Sequence, residues 1–352
     1  MATPRFHQLA FAAALLAFAV VLLGAYVRLS DAGLGCPDWP GCYGRLAVPE
    51  GIGTPAGFDR PLEPAKAWKE MVHRYFAGTL GLLILGLGVW AWGRRGHPGQ
   101  RVGLPVALVA LVGFQAVLGM WTVTWMLKPL VVTAHLLGGL ATLGLLVWLG
   151  LRQGGHLMPP AEVRTAPWRP WALLALGLVV AQIALGGWTS ANYAALACPD
   201  FPACYQGNWW PRTDFGEAFT LWHGLGVDYE GGILTHPART AIHLTHRLGA
   251  LVTLLGVGGL VMALLRAGGA PVVRRIAAVI GVVLLLQVGL GVGNVVLGLP
   301  LPVAVAHNGV AALLLVALVA LNHALRPLPR PVAAEGPGKA EVAASLHSTQ
   351  GA

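Results

Sequence analysis

Four histidines, His73, His135, His246 and His307, each lie inside a long apolar run. An ionisable side chain inside a bilayer is costly, and by default it marks a functional site. Each sits about five to seven residues in from one end of its run, after Lys69, Lys128, Arg239 and Pro302 respectively. At the helical rise this is a depth of about 8–10 Å, so the four imidazoles share one level. Neutral imidazole is a metal ligand. Two of them on diagonal helices of a four-helix bundle can ligate both faces of a planar macrocycle, which is bis-histidine haem ligation. His73/His135 then define one haem position and His246/His307 a second. A single such histidine would favour a hydrogen-bonded core or pore residue; the matched depth and pairing of all four favour haem iron. The compact tetrahedral spacing of a zinc site is missing.

The neighbours differ between the two pairs. Arg74 and Arg247 directly follow His73 and His246. Their planar forks suit haem propionates, although snorkelling to the interface also accounts for them. Glu70 stands three residues before His73, where the other pair has His243 three before His246. Arg28 stands where the other half has Ser190. One position thus gains a carboxylate and a guanidinium, the equipment for moving protons. The other reads as a cofactor holder. Gln115 and Gln287 are a further matched pair, read as polar contacts between helices.

Cysteines supply a third motif. "GCPDWPGCYG" at 35–44 returns as "ACPDFPACYQG" at 197–207. The pairs Cys36–Cys42 and Cys198–Cys204 would each close a small loop, a stabilisation of about 2 kcal/mol on the entropy model. Structural bridges, a redox relay and unpaired thiols all remain open at this point. Each knot follows an apolar run and would form a rigid lid over the haem position of its half.

Eight apolar runs must position these residues, at roughly 7–29, 68–92, 103–125, 131–151, 170–190, 240–265, 272–297 and 302–325. The chain of 352 residues is 56% hydrophobic and only 11% charged, far below the charge of a water-soluble globule. Runs of this length span a bilayer, and in lipid only helices satisfy their own backbone. The first run continues through "GAYVRLS" into the first knot without a convincing cleavage site, so it reads as a retained helix.

The sequence is also written twice. The knots align at an offset of 162, and "HRYFAGTLGLL", "FQAVLGMWTV" and "AHLLGGLATLGLLV" recur at offsets of 172 or 173. The fold class is therefore an all-α integral membrane protein of eight transmembrane helices. They form two tandem four-helix bundles related by a pseudo-two-fold axis along the membrane normal. The divisions are 1–151, a linker at 152–169, 170–326, and a disordered tail at 327–352. Arginines cluster in one set of loops, with only Glu162, Glu335 and Glu341 among them. The positive-inside rule makes that set cytoplasmic, with both termini inside a cell inner or plasma membrane and both cysteine knots outside. The net charge of +9 follows from this topology, and no basic face with base-reading side chains argues for nucleic acid.

The combination of "CPDWPGCYG", "EMVHR", "TAHLLGG", "IHLTHR" and "VAHNG" in eight duplicated helices resembles the haem A synthase family over about residues 7–325. The resemblance implies oxidation of the C8 methyl of haem O to the formyl group of haem A, through a hydroxymethyl intermediate. It implies His246 and His307 as ligands of a resident haem b. His73 and His135 would stand at the substrate haem O, with Glu70 beside them and Cys36/Cys42 as the outer pair. It also implies haem O synthase and haem–copper oxidase assembly as functional partners, besides membrane lipid and an unidentified electron donor or acceptor. The residues alone leave two rivals: a bis-histidine di-haem electron carrier of the quinol-linked cytochrome b type, and a transporter. The loop 205–238, with Trp209, Trp210, Trp222, His223 and His236, reads as an interfacial segment or a docking surface.

Overall fold

The structure, a computed structural model, describes residues 4–51, 53–97, 102–154, 167–268 and 270–326. The tail 327–352 and most of the linker 152–169 lie outside these. Nine α-helices occur among the described residues: α1 (Pro4–Leu29), α2 (Pro64–Gly93), α3 (Gly103–Thr124), α4 (Pro129–Gln153), α5 (Arg169–Ala191), α6 (Phe215–Ala218), α7 (His236–Arg266), α8 (Pro271–Val296) and α9 (Leu301–Ala324). Eight are long and apolar enough to cross a membrane, and the chain is a multi-pass membrane protein. The described residues form no strand, only isolated bridges such as Cys42 with Arg45 and Tyr205 with Asn208.

Helices α2 and α7 begin four residues earlier than their apolar runs. Their first turns, 64–67 and 236–239, carry Lys66 or His236 and Arg239, so hydropathy misses them. Proline at the first or second helical position starts both, where its missing N–H costs nothing. The four-residue α6 was not legible as a run. Asp214 caps it by accepting from the Glu217 N–H at 2.9 Å.

Helix α1 packs on α2, α4 and α9; α3 packs on α2 and α4. Helix α5 packs on α7, α4 and α9; α8 packs on α7 and α9; α4 and α9 also meet. The main core lies toward the arginine-bearing ends. There a face of α1 made of Ala10, Ala13, Ala14 and Ala17 is buried in one cluster with Leu143, Leu146 and Leu318. Small residues let the helices approach closely, which is how packing proceeds where lipid removes the hydrophobic drive between helices. At the opposite ends, Met126 and Leu127 of the α3–α4 turn have positive φ, and so do Gly298 and Leu299 of the α8–α9 turn. The two turns set α4 and α9, and hence His135 and His307, at matching distances from their first residues.

Candidate functional site: four histidine cradles and a cavity

Each of the four histidines rests on a glycine of the preceding membrane helix. A Cβ built on Gly24 of α1 would lie 3.0 Å from His73 Cε1. On Gly119 of α3 it would lie 3.4 Å from His135 Cε1. The corresponding distances are 3.2 Å from Gly186 of α5 to His246, and 3.1 Å from Gly291 of α8 to His307. At the closest of these a methyl would press on the imidazole, which would have to give by a few tenths of an ångström. The glycines stand 162 and 172 residues apart, the offsets of the repeat. His73 and His135 lie within electrostatic range of each other, and so do His246 and His307. The structure therefore brings the histidines together in the expected pairs.

His73 and His135 line a cavity of about 840 Å³, within the size range of small-molecule and cofactor sites. Its wall is mostly apolar, with Glu70, Arg74, Arg28 and Gln115 among its polar members. Trp39, Pro40 and Leu46 close it from the first knot. Between α2 and α3 it is bordered by small residues, including Gly78, Gly81 and Gly113. Gly187, Ser190 and Asn308 reach it from the second half of the chain.

The ring nitrogens differ in their surroundings. Nδ1 of His73, His135 and His307 is buried without a hydrogen-bond partner. The four residues as a whole are nevertheless half-buried, so part of each ring faces open space. In the second pair Gln182 Nε2 lies 3.0 Å from His246 Nδ1, and Gln287 Nε2 lies 3.3 Å from His307 Nε2. The first half has Val20 at the place of Gln182. His73 and His135 line one cavity, and imidazole is a side chain that ligates haem iron.

The family model described as cytochrome oxidase assembly protein matches residues 7–319. A haem A synthase of Shewanella oneidensis is 45% identical over 311 residues, covering 87% of this chain and 92% of that protein. A haem A synthase of Caulobacter vibrioides is 30% identical over 343 residues, covering 90% and 94%. The chain belongs to the haem A synthase family.

In this haem A synthase relative the residues around the cradles hold the knots in place. Glu70 is buried; its Oε2 accepts the Cys36 N–H at 2.9 Å and its Oε1 accepts from Arg74 Nη2 at 2.5 Å. Arg74 Nη1 donates to the carbonyls of Asp38 at 2.9 Å and of Gly41. The second half repeats this with a different residue. His243 Nδ1 accepts the Cys198 N–H at 3.2 Å, which leaves the proton on Nε2, 3.3 Å from Arg247 Nε, as a contact and not a second accepted bond. Arg247 donates to the carbonyls of Cys198 at 2.6 Å, Asp200 at 2.8 Å and Ala203 at 3.0 Å. Both arginines therefore clamp a knot, a role that sequence reasoning missed. Its signal was present, since each arginine lies four residues after the group that seats its knot, one helical turn along the same face. Arg74 also borders the cavity.

Both cysteine pairs are bonded as expected, Cys36–Cys42 and Cys198–Cys204, and the reading as unpaired thiols is set aside. Asp38 and Asp200 stiffen the knots by accepting backbone N–H groups, of Tyr43 at 2.6 Å and of Gln206 at 2.8 Å.

The loop after the second knot crosses to the first half. Tyr229 N–H donates to Met126 O at 3.1 Å, and its buried side chain packs with Leu34, Val123 and Leu127. Lys128 is buried; its Nζ donates to Gly224 O at 2.7 Å and lies 2.9 Å from the Trp222 ring centroid. Arg60 pairs with Asp228 at 2.5 Å and Glu230 at 2.8 Å. Partial burial opposes the Arg60 charge, but these two carboxylates outweigh it and hold its pKa above the ordinary value. Leu127 lines the cavity, so this loop backs one of its walls. Trp222 and His223 belong to that cover; Trp209 and Trp210 remain exposed.

Proposed function

We propose that this protein is a haem A synthase whose two halves divide the work: the first transforms haem O and the second holds haem b. The observation that carries this reading is the cavity on which His73, His135 and Glu70 converge. The family's activity, oxidation of the haem O methyl to a formyl group through a hydroxymethyl stage, is assigned to this cavity. Haem A supply for cytochrome oxidase assembly follows as the biological role.

The chain's own residues divide the tasks. His73 and His135 hold the substrate from both faces, on the shelves of Gly24 and Gly119. The apolar wall takes the farnesyl tail, and the small-residue seam between α2 and α3 is the entry from lipid. Glu70 is the one carboxylate on the wall, and it holds or passes a proton beside the ring. Arg74 and Arg28 set positive charge at the knot end of the cavity, where propionates need it. Trp39 and Pro40 exclude water from that end. In the second half His246 and His307 hold haem b, with Arg247 near its knot end. Bound haem b supplies one-electron transfer. Asn308 follows His307 and lies on the cavity wall, so α9 joins the two sites directly.

The packing partners of α5, α7, α8 and α9 parallel those of α1, α2, α3 and α4. This supports two tandem bundles about an axis along the membrane normal. The arginine-bearing ends face the cytoplasm on the positive-inside rule, and the knots face out. Expression in cells that make haem O, followed by extraction and mass analysis of haems, tests the reading. New haem A or its hydroxymethyl precursor is expected. Haem b alone at two per chain, with haem O unchanged, would favour the di-haem electron carrier instead.

A further inference from the structure

A second cavity lies at the other end of the helices, far from the knots. It encloses about 280 Å³ and is lined by Leu104 of α3, Leu145, Trp148 and Arg152 of α4, Arg169, Leu173 and Leu176 of α5, and Val319 and Asn322 of α9. It sits where the two halves of the chain meet. Its wall is apolar toward the middle of the helices and cationic at their ends.

Among the described residues, the cations here have no acidic counter-charge. Every Asp and Glu among the described residues lies at the knot end, whereas Arg152, Arg169 and Arg326 lie at this one. Arg326 contacts His323 Nε2. Burial, with the charge of Arg152 added, pushes the Arg326 guanidinium below its ordinary pKa. His323 is fully buried, its ring edge-on to Trp148 at 5.2 Å, with Nδ1 unpartnered. Asn322 is 4% exposed and donates its amide to Ala172 O at 3.0 Å, while its Oδ1 has no partner. The site therefore offers cations and one buried acceptor beside a leucine-lined groove. An occupant that answers all of these carries a negative charge, hydroxyl donors and a long apolar chain.

We propose that this cavity binds one anionic phospholipid. Its phosphate lies against Arg152 and Arg169, a headgroup hydroxyl donates to Asn322 Oδ1, and an acyl chain follows Leu145, Leu173 and Leu176. Basic pockets between membrane helices recognise lipid headgroups in this way, and Leu173, at 50% exposure, leaves the groove open to the bilayer. The lipid would join α4 and α5, whose connecting segment lies outside the described residues, and so fix the two halves against each other.

The test uses the full chain purified in detergent. Dioleoyl phosphatidylglycerol, dioleoyl phosphatidylcholine or inorganic phosphate is added, and Tm and native mass spectra are recorded. Phosphatidylglycerol is expected to raise Tm by about 3–5 °C, with one lipid retained per chain. Phosphatidylcholine and phosphate should leave Tm unchanged. The Arg152→Gln/Arg169→Gln variant should lose the response while keeping the Tm measured in phosphatidylcholine; should that variant not fold, Asn322→Leu, with its lipid count, replaces it. Arg266→Gln/Arg275→Gln, which changes arginines at the same end but outside the cavity, should respond like the parent chain. An equal shift with phosphatidylcholine or phosphate, or an undiminished response in the cavity variants, would overturn the proposal. So would a response that appears only in Glu162→Gln, because the linker's own carboxylate would then be the occupant.

Discussion

The two halves seat their knots with the same geometry and different chemistry. In both, a side chain three residues before the cradle histidine accepts the N–H of a knot cysteine and contacts an arginine one turn on. In the first half that side chain is Glu70; in the second it is His243. The difference teaches that seating the knot cysteine takes only one acceptor, which an imidazole supplies, whereas the carboxylate can accept from the arginine at the same time. Glu70, at 5% exposure beside the cavity, makes both structural bonds, and on the proposed reading its carboxylate also serves the substrate. Gln182 opposite Val20 is a second difference, because the Gln182 amide lies 3.0 Å from His246 Nδ1, whereas Val20 has no polar side-chain group to set beside His73.

The largest expected effect comes from the holder. Replacing His246 with Ala should abolish the bis-histidine haem b absorption spectrum and reduce haem A formation at least 100-fold, read by spectra and extracted haems. Survival of activity without that spectrum would break the division of labour.

Copying the second half's acceptor into the first comes next. Glu70→His should keep the Cys36–Cys42 knot seated and the haem b spectrum unchanged, while haem A formation falls more than about 10-fold, the scale of a lost acid–base group. Retained activity would reduce Glu70 to a knot seat.

Glycine substitutions sharpen the comparison further. Gly24→Ala should raise the KM for haem O several-fold and leave haem b in place. Gly186→Ala should perturb the haem b spectrum instead. Each added Cβ pushes one imidazole by a few tenths of an ångström, enough to misplace a ligand. The same spectral change from both variants would mean that the halves do not act separately.

The smallest effect belongs to the cover. Arg60 and its partners are each about a third to a half exposed, so Arg60→Ala should cost only about 0.5–1 kcal/mol, seen as a small drop in Tm.

Much of this architecture was legible in the sequence because hydropathy and repetition are local signals. The eight runs, the offsets and the four histidines at one level all come from them. Helix starts at Pro64 and His236 were not legible, because the charged first turns lie outside any apolar window. The cradles escaped for another reason. Gly24, Gly119, Gly186 and Gly291 are a few among many glycines in membrane helices, and nothing local separates a shelf from a packing contact. The cover over the first half was out of reach, since Arg60 and Glu230 are 170 residues apart and their meeting depends on how the halves pack. The two arginines pointed to propionates on charge alone, while the carbonyls they bind come from loops whose paths only the folded chain reveals.

The most direct measurement takes the His73→Ala/His135→Ala variant, expressed with haem O present, and counts its haems by extraction and its spectrum. One haem b per chain, with an unperturbed bis-histidine spectrum and no haem A or hydroxymethyl precursor, is the predicted result. Haem A still being made, or haem b lost together with the first-half histidines, would contradict the assignment of transformation to one half and cofactor to the other.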